Sequence, residues 1–260
     1  MPSAQLKSGD FSRLASDYSK YRPAYCESVL TAVLATVGRP LVAVDAVDVG
    51  AGTGIWTRMM ARRGLRSVIA VEPNDAMRAA GQADSGNLSI EWRAGSGEAT
   101  GLADASADLL SMASSFHWVD FGRGTTEFAR VLRGGGRFVA VWNPRYIEAS
   151  PLLTEIEAHL HSLRPDLKRV SSGRSGLTDT LTEKLWACGL FDDIVYVEGR
   201  HSSPLTPAQY LGAWRSVNDI QAQLGPDKFS EFLRFVEHKV RGLTTIETVY
   251  LTRAWAARRR

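Results

Sequence analysis

The glycine-rich segment Gly50-Ala51-Gly52-Thr53-Gly54 follows directly on the apolar run Val47-Asp48-Val49 and leads into a stretch of helical pattern. A strand that turns this tightly into a helix lets its backbone N–H groups approach a ligand closely, because no Cβ intervenes. Eighteen residues after Gly54, Glu72 closes the next apolar run. A carboxylate at a strand end can accept both hydroxyls of an adenosine ribose, the geometry of doubly wound nucleoside-binding folds. Two cofactor classes fit that pair of features. A dinucleotide turn requires GxGxxG, and the position three residues after Gly52 is Ile55; here the third glycine is Gly54, giving GxGxG and weakening the dinucleotide version.

His117 is the candidate general base, since it follows the fourth apolar run, at the sheet edge where open α/β sheets hold ligands, and an unperturbed imidazole titrates near 6.5. Cys26 and Cys188 show neither CxxC nor metal-ligand spacing and read as reduced thiols. His159 and His161, two apart, cannot share one helix face, so no metal site is expected.

The elements that position these residues alternate. Val44–Val49, Ser67–Val71, Leu88–Trp92, Ala107–Met112 and Arg137–Trp142 read as buried strands, with helical segments at Gly54–Arg63, Asp75–Ala83 and Phe121–Leu132 between them. Such a rhythm predicts an α/β fold, a doubly wound and mainly parallel sheet with helices on both faces. Gly134-Gly135-Gly136 reads as a helix stop. Upstream, Ala24–Val37 is helical in pattern, preceded by the aromatic segment Tyr18-Ser19-Lys20-Tyr21-Arg22-Pro23. Downstream, Leu152, Ile156, Leu160 and Leu163 form one apolar stripe and Phe229, Leu233, Val236 and Val240 another, as expected of helices that cover the sheet's binding edge. Leu181–Cys188 predicts a flanking helix, Ile194–Glu198 a strand, and Thr244–Trp255 a final strand.

Composition agrees with an enzyme-sized globular fold. The chain has 260 residues, 44% hydrophobic and 23% charged, with 2 cysteines, which excludes collagen-like, disordered and disulfide-stapled classes. The formal charge of +3 is matched by the terminal Arg258, Arg259 and Arg260, which read as a frayed end, so the body is neutral. A nucleic-acid partner is disfavoured by that balance. No apolar stretch reaches the ~20 residues needed to span a bilayer and no leader precedes the fold, so a cytoplasmic protein with no membrane partner is expected.

The segments DVGAGTG and VEPNDAM resemble the first two motifs of class I S-adenosylmethionine-dependent methyltransferases. RAGSGEATGLADASADLL is similar to the third motif, and SSFHWVD, EFARVLRGGGRFVAVWN and the Tyr18, Arg22, Pro23, Tyr25 lead resemble the trans-aconitate methyltransferase-like (methyltransferase type 11) branch. The resemblance covers about the first 145 residues. It implies a Rossmann-like seven-stranded sheet with helical lid insertions, one domain over residues 1–260, with 40–145 as cofactor-binding core and 1–39, 146–175 and 200–243 as covering segments. The implied cofactor is S-adenosyl-L-methionine, leaving as S-adenosyl-L-homocysteine.

By the same resemblance Gly50, Ala51 and Gly52 lie against the cofactor's amino-acid part, Glu72 holds the ribose, and Pro73 and Met77 flank the adenine. Ser96, Gly97 and Glu98 fall where the family contacts adenine; many relatives carry an acid in place of Ser96. Ser114 and Trp118 border the cofactor, with His117 as base or positioning group. Arg22 can pair with the methionine carboxylate while Tyr18 and Tyr21 close the entrance. Asn143, Arg145, Tyr146, Tyr210, Trp214 and Arg215 are the candidate acceptor contacts, the arginines suited to an acidic molecule. The function expected is methylation of a small-molecule acceptor, at oxygen and possibly at a carboxylate. A tRNA-directed methyltransferase, a cofactor binder without turnover and a nicotinamide-dependent dehydrogenase remain as alternatives.

Overall fold

The structure, a computed structural model, describes residues 11–169 and 176–260. Seven strands form one sheet in the order β3-β2-β1-β4-β5-β7-β6. β1 (Asp45–Val49), β2 (Ser67–Val71), β3 (Glu91–Arg93), β4 (Ala107–Ala113) and β5 (Leu132–Trp142) are mutually parallel, while β7 (Ile246–Arg259) runs antiparallel to β5 and to β6 (Phe191–Leu205). From β1 the chain builds outward through β2 to β3, then returns to lay β4 on the other side of β1. That reversal leaves a crevice at the carboxyl ends of β1 and β4, where open α/β sheets bind ligands.

The central strands are continuous apolar runs because both faces are covered. Val47, Leu110, Phe138 and Ala140 point into one core, closed by α5 (Phe121–Val131) and α7 (Leu181–Ala187). Ala46, Leu109, Val139 and Val141 point into the other, closed by α2 (Glu27–Ala35) and α3 (Ile55–Ala61). A third cluster joins α6 (Pro151–Leu163), α8 (Pro207–Arg215) and α9 (Asn218–Val240), with Leu205 and Ile246 at the β6 and β7 ends beneath it. α9 is broken at Gly225, ahead of Pro226, which cannot continue the backbone ladder. α1 (Ala15–Tyr21) packs against α8 and against α4 (Asp75–Ser85).

Three expectations are corrected. The helix before Gly134 ends at Val131, and Leu132 is already extended and paired with Ala107; the register then shifts, with Gly134 and Gly135 exposed and Gly136 buried, before Arg137 pairs with Leu109. The late hairpin is much longer than the two strand patterns implied, so residues 200–205 belong to β6 and not to a covering segment. Two of the C-terminal arginines are strand residues: Arg258 pairs with Arg137 in register and holds Asp192 at 2.8 Å, and Arg259 donates to the Leu132 carbonyl, while Arg260 follows the strand with its amide on Leu190 O at 3.1 Å. Alternating exposure along β6 marks it as the edge strand, whose periodicity carries less apolar signal than a central strand.

Candidate functional site

The turn after β1 is held by its neighbour. The amides of Gly50 and Ala51 donate to the Val71 carbonyl at 2.8 and 3.1 Å, and the Gly52 amide donates to Glu72 Oε2 at 2.8 Å. Gly54 N–H closes the turn on Ala51 O at 2.9 Å. Gly50 sits at φ +64°, and a Cβ there would lie 2.7 Å from Ser115 Cβ. Ser115 is fixed in turn by donating to Val49 O at 3.1 Å, so only glycine lets β1 and the β4 end approach this closely.

Glu72 is buried at the end of β2, and its second oxygen accepts from the Asn74 amide at 2.8 Å. Burial pushes its pKa up, while the amides of Asn74 and Gly52 favour the charged form. Asn74 also caps α4, its side chain accepting from Met77 N–H at 3.0 Å, which seats Met77 against the turn.

Above these residues lies a cavity of about 390 Å³, within the ~300–1,000 Å³ of small-molecule sites. Gly50, Ala51 and Gly52 form its floor, with Glu72, Pro73 and Met77 along one wall. Ser96, Gly97 and Glu98 line the far end, where Glu98 is fixed by accepting from Ser96 Oγ at 3.2 Å and the Asp120 amide at 2.9 Å. Tyr18, Ser114 and Trp118 border the other side.

Tyr25, Phe11 and Asn74 line the same cavity and were not among the predicted site residues. The Tyr25 hydroxyl donates to Ser114 Oγ at 3.0 Å, and burial, reinforced by Tyr18, pushes its pKa up, so the phenol stays protonated. The aromatic lead before α2 was the available signal for Tyr25. Phe11 contacts Tyr18 and Trp118 edge-on at centroid distances of 6.0 and 6.2 Å, a tertiary relation no spacing reveals.

A smaller recess of about 50 Å³ adjoins this cavity, sharing Phe11, Tyr18 and Ser114 with it. Arg22, Asn143 and Arg145 line the recess, joined by Arg169 and Tyr250, which the sequence did not single out. Arg22 lies 4.9 Å from the Tyr18 ring centroid and its Nη2 donates to Ser216 O at 3.3 Å. Arg145 stacks on Trp214 at 4.0 Å. The Asn143 side chain is committed to the scaffold, donating to Ala24 O at 3.0 Å and accepting from Thr252 Oγ1 at 2.7 Å.

The structure places the remaining predicted residues elsewhere. His117 turns away from the cavity toward the sheet, where Nδ1 accepts from Trp142 Nε1 at 3.3 Å. Burial lowers its pKa to about 4, with Asp219 opposing. A neutral imidazole whose Nδ1 lone pair is taken carries its proton on Nε2, so it has no free lone pair to act as a base. Tyr21 packs its ring against Gly212 of α8, and Tyr146 lies under the Arg200 guanidinium at 4.2 Å. Tyr210 and Trp214 are buried in the α6, α8, α9 cluster, and Arg215 on α8 faces Asp17 at 3.7 Å. Tyr21, Tyr210 and Trp214 are thus committed to packing, and Tyr146 and Arg215 to contacts with Arg200 and Asp17.

Among the described residues no group of His, Cys, Asp and Glu is arranged to hold a metal ion, and no helix is long and apolar enough to cross a membrane. Both cysteines are free thiols.

Residues 47–140 match the family described as a methyltransferase domain. An uncharacterized methyltransferase of Mycobacterium tuberculosis is 37% identical over 139 residues, 52% of each chain. A ubiquinone/menaquinone biosynthesis C-methyltransferase of Rubrivivax gelatinosus is 39% identical over 103 residues, 36% of this chain and 38% of its own. The chain thus spans about half, or less, of the length of the curated relatives it matches. A solved structure from Anaeromyxobacter dehalogenans, provisionally described as a type II methyltransferase, superposes with a TM-score of 0.65 at 21% identity, covering 92% of this chain and 98% of that one, a likeness of fold.

Proposed function

We propose that this chain, whose residues 47–140 match a methyltransferase domain family, is a class I S-adenosylmethionine-dependent methyltransferase acting on a small molecule, with transfer to oxygen by in-line displacement. The observation that carries this reading is the hydrogen-bond accounting of the glycine turn. A pyrophosphate-binding turn presents its amides to the ligand. Here the amides of Gly50, Ala51, Gly52 and Gly54 are all engaged within the fold. What the turn offers is close approach without Cβ, beside a carboxylate. That suits an uncharged adenosine joined to a cationic sulfonium, and disfavours a nicotinamide dinucleotide.

When bound, the cofactor supplies a methyl group already activated by its positively charged sulfur. The chain's residues have to orient it and exclude water, which can lower a barrier by up to ~7–11 kcal/mol. We assign the ribose hydroxyls to Glu72, the adenine faces to Pro73 and Met77, and the adenine edge to Ser96, Gly97 and Glu98. Gly50, Ala51 and Gly52 with Ser114 flank the amino-acid portion, Arg22 takes its carboxylate, and Tyr18 and Trp118 border the entrance. The helices α6, α8 and α9 act as the cover of a single domain.

Among the titratable groups bordering the cavity, Glu72 and Glu98 are tied to main-chain amides and Tyr25 is held protonated. Among the described residues bordering the cavity no imidazole serves as a base, which supports an acceptor oxygen that is already ionised at working pH, as a carboxylate or an acidic enol is. Its lone pair forms the new C–O bond as the C–S bond breaks and the electron pair leaves with sulfur. A second reading, transfer to an acidic carbon, is favoured by the name of the Rubrivivax relative.

Isothermal titration with S-adenosylhomocysteine and with NAD tests the cofactor, and only the former should bind. Transfer of an isotope-labelled methyl group to metabolite pools, read by mass spectrometry, tests turnover. Tight NAD binding, or cofactor binding with no labelled product, overturns the assignment.

A further inference from the structure

Two hydroxyl groups from distant parts of the chain meet at one corner of the main cavity. Tyr25, on the segment before α2, donates its phenol proton to Oγ of Ser114, the residue that follows β4, at 3.0 Å. Both residues line the cavity. A serine oxygen that accepts from a phenol keeps its own proton free to donate elsewhere. Among the described residues no acceptor takes that proton.

Each hydroxyl is carried by a fixed framework. The Tyr25 ring is buried and packs edge-on against Trp56 of α3 at 5.2 Å, while its amide donates to Met59 Sδ at 3.4 Å. Ser114 adopts φ +55°, in the left-handed region that a serine rarely occupies. Its amide is held on Val141 O at 2.7 Å, and the next residue, Ser115, donates to Val49 O at 3.1 Å. Strained positions of this kind persist where the surroundings over-determine the backbone, and they cluster at ligand clamps. Glycine would fit there without strain, so the hydroxyl is what serine adds.

The location of Ser114 narrows what its proton meets. Ser114 lines both the main cavity and the recess, and Arg22 lines the recess. A group seated where the two spaces join is bordered by a hydroxyl donor and by a guanidinium. That pair selects an anionic hydrogen-bond acceptor, and in the methyl donor assigned to the cavity the anionic group is the carboxylate of its amino-acid portion. The amides of the neighbouring glycine turn are engaged within the fold and do not compete for it.

We propose that Tyr25 is a positioning residue for the methyl donor: by donating to Ser114 Oγ it commits the Ser114 proton to the donor's carboxylate, opposite Arg22. This rests on the methyltransferase reading and adds to it a residue that acts through another. A carboxylate held at two points restricts how far the sulfonium can swing, and in-line transfer is sensitive to that alignment.

Calorimetric titration of the full chain with S-adenosylhomocysteine, and with its decarboxylated analogue that keeps the adenosine and the amine, tests the assignment. Ser114→Gly, chosen because glycine accepts the left-handed backbone, should weaken S-adenosylhomocysteine binding about tenfold. Tyr25→Phe, which keeps the ring on Trp56, should weaken it about fivefold. Affinity for the analogue should stay within twofold of the wild-type value in both variants, with melting curves to verify folding. The double variant should bind S-adenosylhomocysteine within twofold of Ser114→Gly, because the two hydroxyls act through one contact. An equal loss for both ligands in Tyr25→Phe marks a merely structural role and overturns the proposal. Losses that multiply in the double variant, or unchanged S-adenosylhomocysteine affinity in either single one, overturn it as well. If the wild-type chain itself fails to bind S-adenosylhomocysteine, the methyltransferase reading falls and the role of Tyr25 with it; if it binds and the variants match it, only the role of Tyr25 falls.

Discussion

The Gly52 amide donates to Glu72 Oε2 at 2.8 Å, so the turn after β1 and the carboxylate at the end of β2 form one rigid unit. Replacing the carboxylate by its neutral isostere tests whether that unit holds the cofactor. Glu72→Gln should weaken S-adenosylhomocysteine binding by roughly 10- to 100-fold, since a hydrogen bond to a charged group contributes about 1.5–3 kcal/mol. The melting temperature should fall as well, because the Gln NH2 cannot accept from one of the two main-chain amides that Glu72 holds, so binding is compared on the folded variant. Unchanged affinity by calorimetry removes Glu72 from the site.

Two glycines at similar positive φ should respond differently to a methyl group. Gly50 and Gly135 lie at φ +64° and +78°, but a Cβ at Gly50 meets Ser115 at 2.7 Å whereas one at Gly135 meets nothing within 4 Å. Gly135→Ala should cost about 1–2 kcal/mol from left-handed strain alone. Gly50→Ala should cost a further ~1–3 kcal/mol from the clash and lose cofactor binding. Urea denaturation of the two variants provides the comparison; equal costs would show that Ser115 yields freely.

His117 should prove dispensable as a base. Its pKa is lowered to about 4 by burial and its Nδ1 is engaged by Trp142. The rate of methyl transfer should therefore show no limb near pH 6.5, and His117→Asn should retain the wild-type shape of the pH profile with a modest fall in stability of about 1 kcal/mol for the lost Trp142 partner. A limb near 6.5 that vanishes in the variant would restore the catalytic role.

Asp48 should make the fold less stable as pH rises. It is fully buried between β1, β4 and α3, accepting from Thr57 and Ser111, and burial raises its pKa from 3.8 to about 7 despite those two hydroxyls. The folded state then binds the proton more tightly than the unfolded one between pH ~4 and ~7, so stability declines across that window and levels off above it. Asp48→Asn should flatten the pH 5–8 dependence of the urea midpoint. Glu127, held down to about 2 chiefly by Arg130, acts in the opposite sense and only below pH ~4.5. An unaltered slope in the variant would place the proton elsewhere.

The central fold was legible because its signals are local. Fully buried strands read as short apolar runs, and the β1 turn and the Asn74 cap each sit within a few residues of the element they shape. Leu88–Trp92 narrowed to β3 at Glu91–Arg93, and β6 outgrew its predicted span, because an edge strand with one exposed face owes its length to pairing with β7 more than to its own pattern. The same pairing ordered Arg258 and Arg259, which composition alone assigned to a frayed end.

The glycine turn, the strand-end carboxylate and a resemblance to methyltransferases, which the match over residues 47–140 bears out, could be read from the sequence, since each rests on residue type and close spacing. Tertiary structure alone decided which side chains reach the cavity. His117, Tyr210 and Trp214 stand at plausible positions but point into packed cores, whereas Arg169 and Tyr250 arrive at the recess from stretches with no motif at all. The cause is geometric: a side chain's direction is fixed by the packing of its element against others far away in the chain, and that packing leaves no trace in local periodicity.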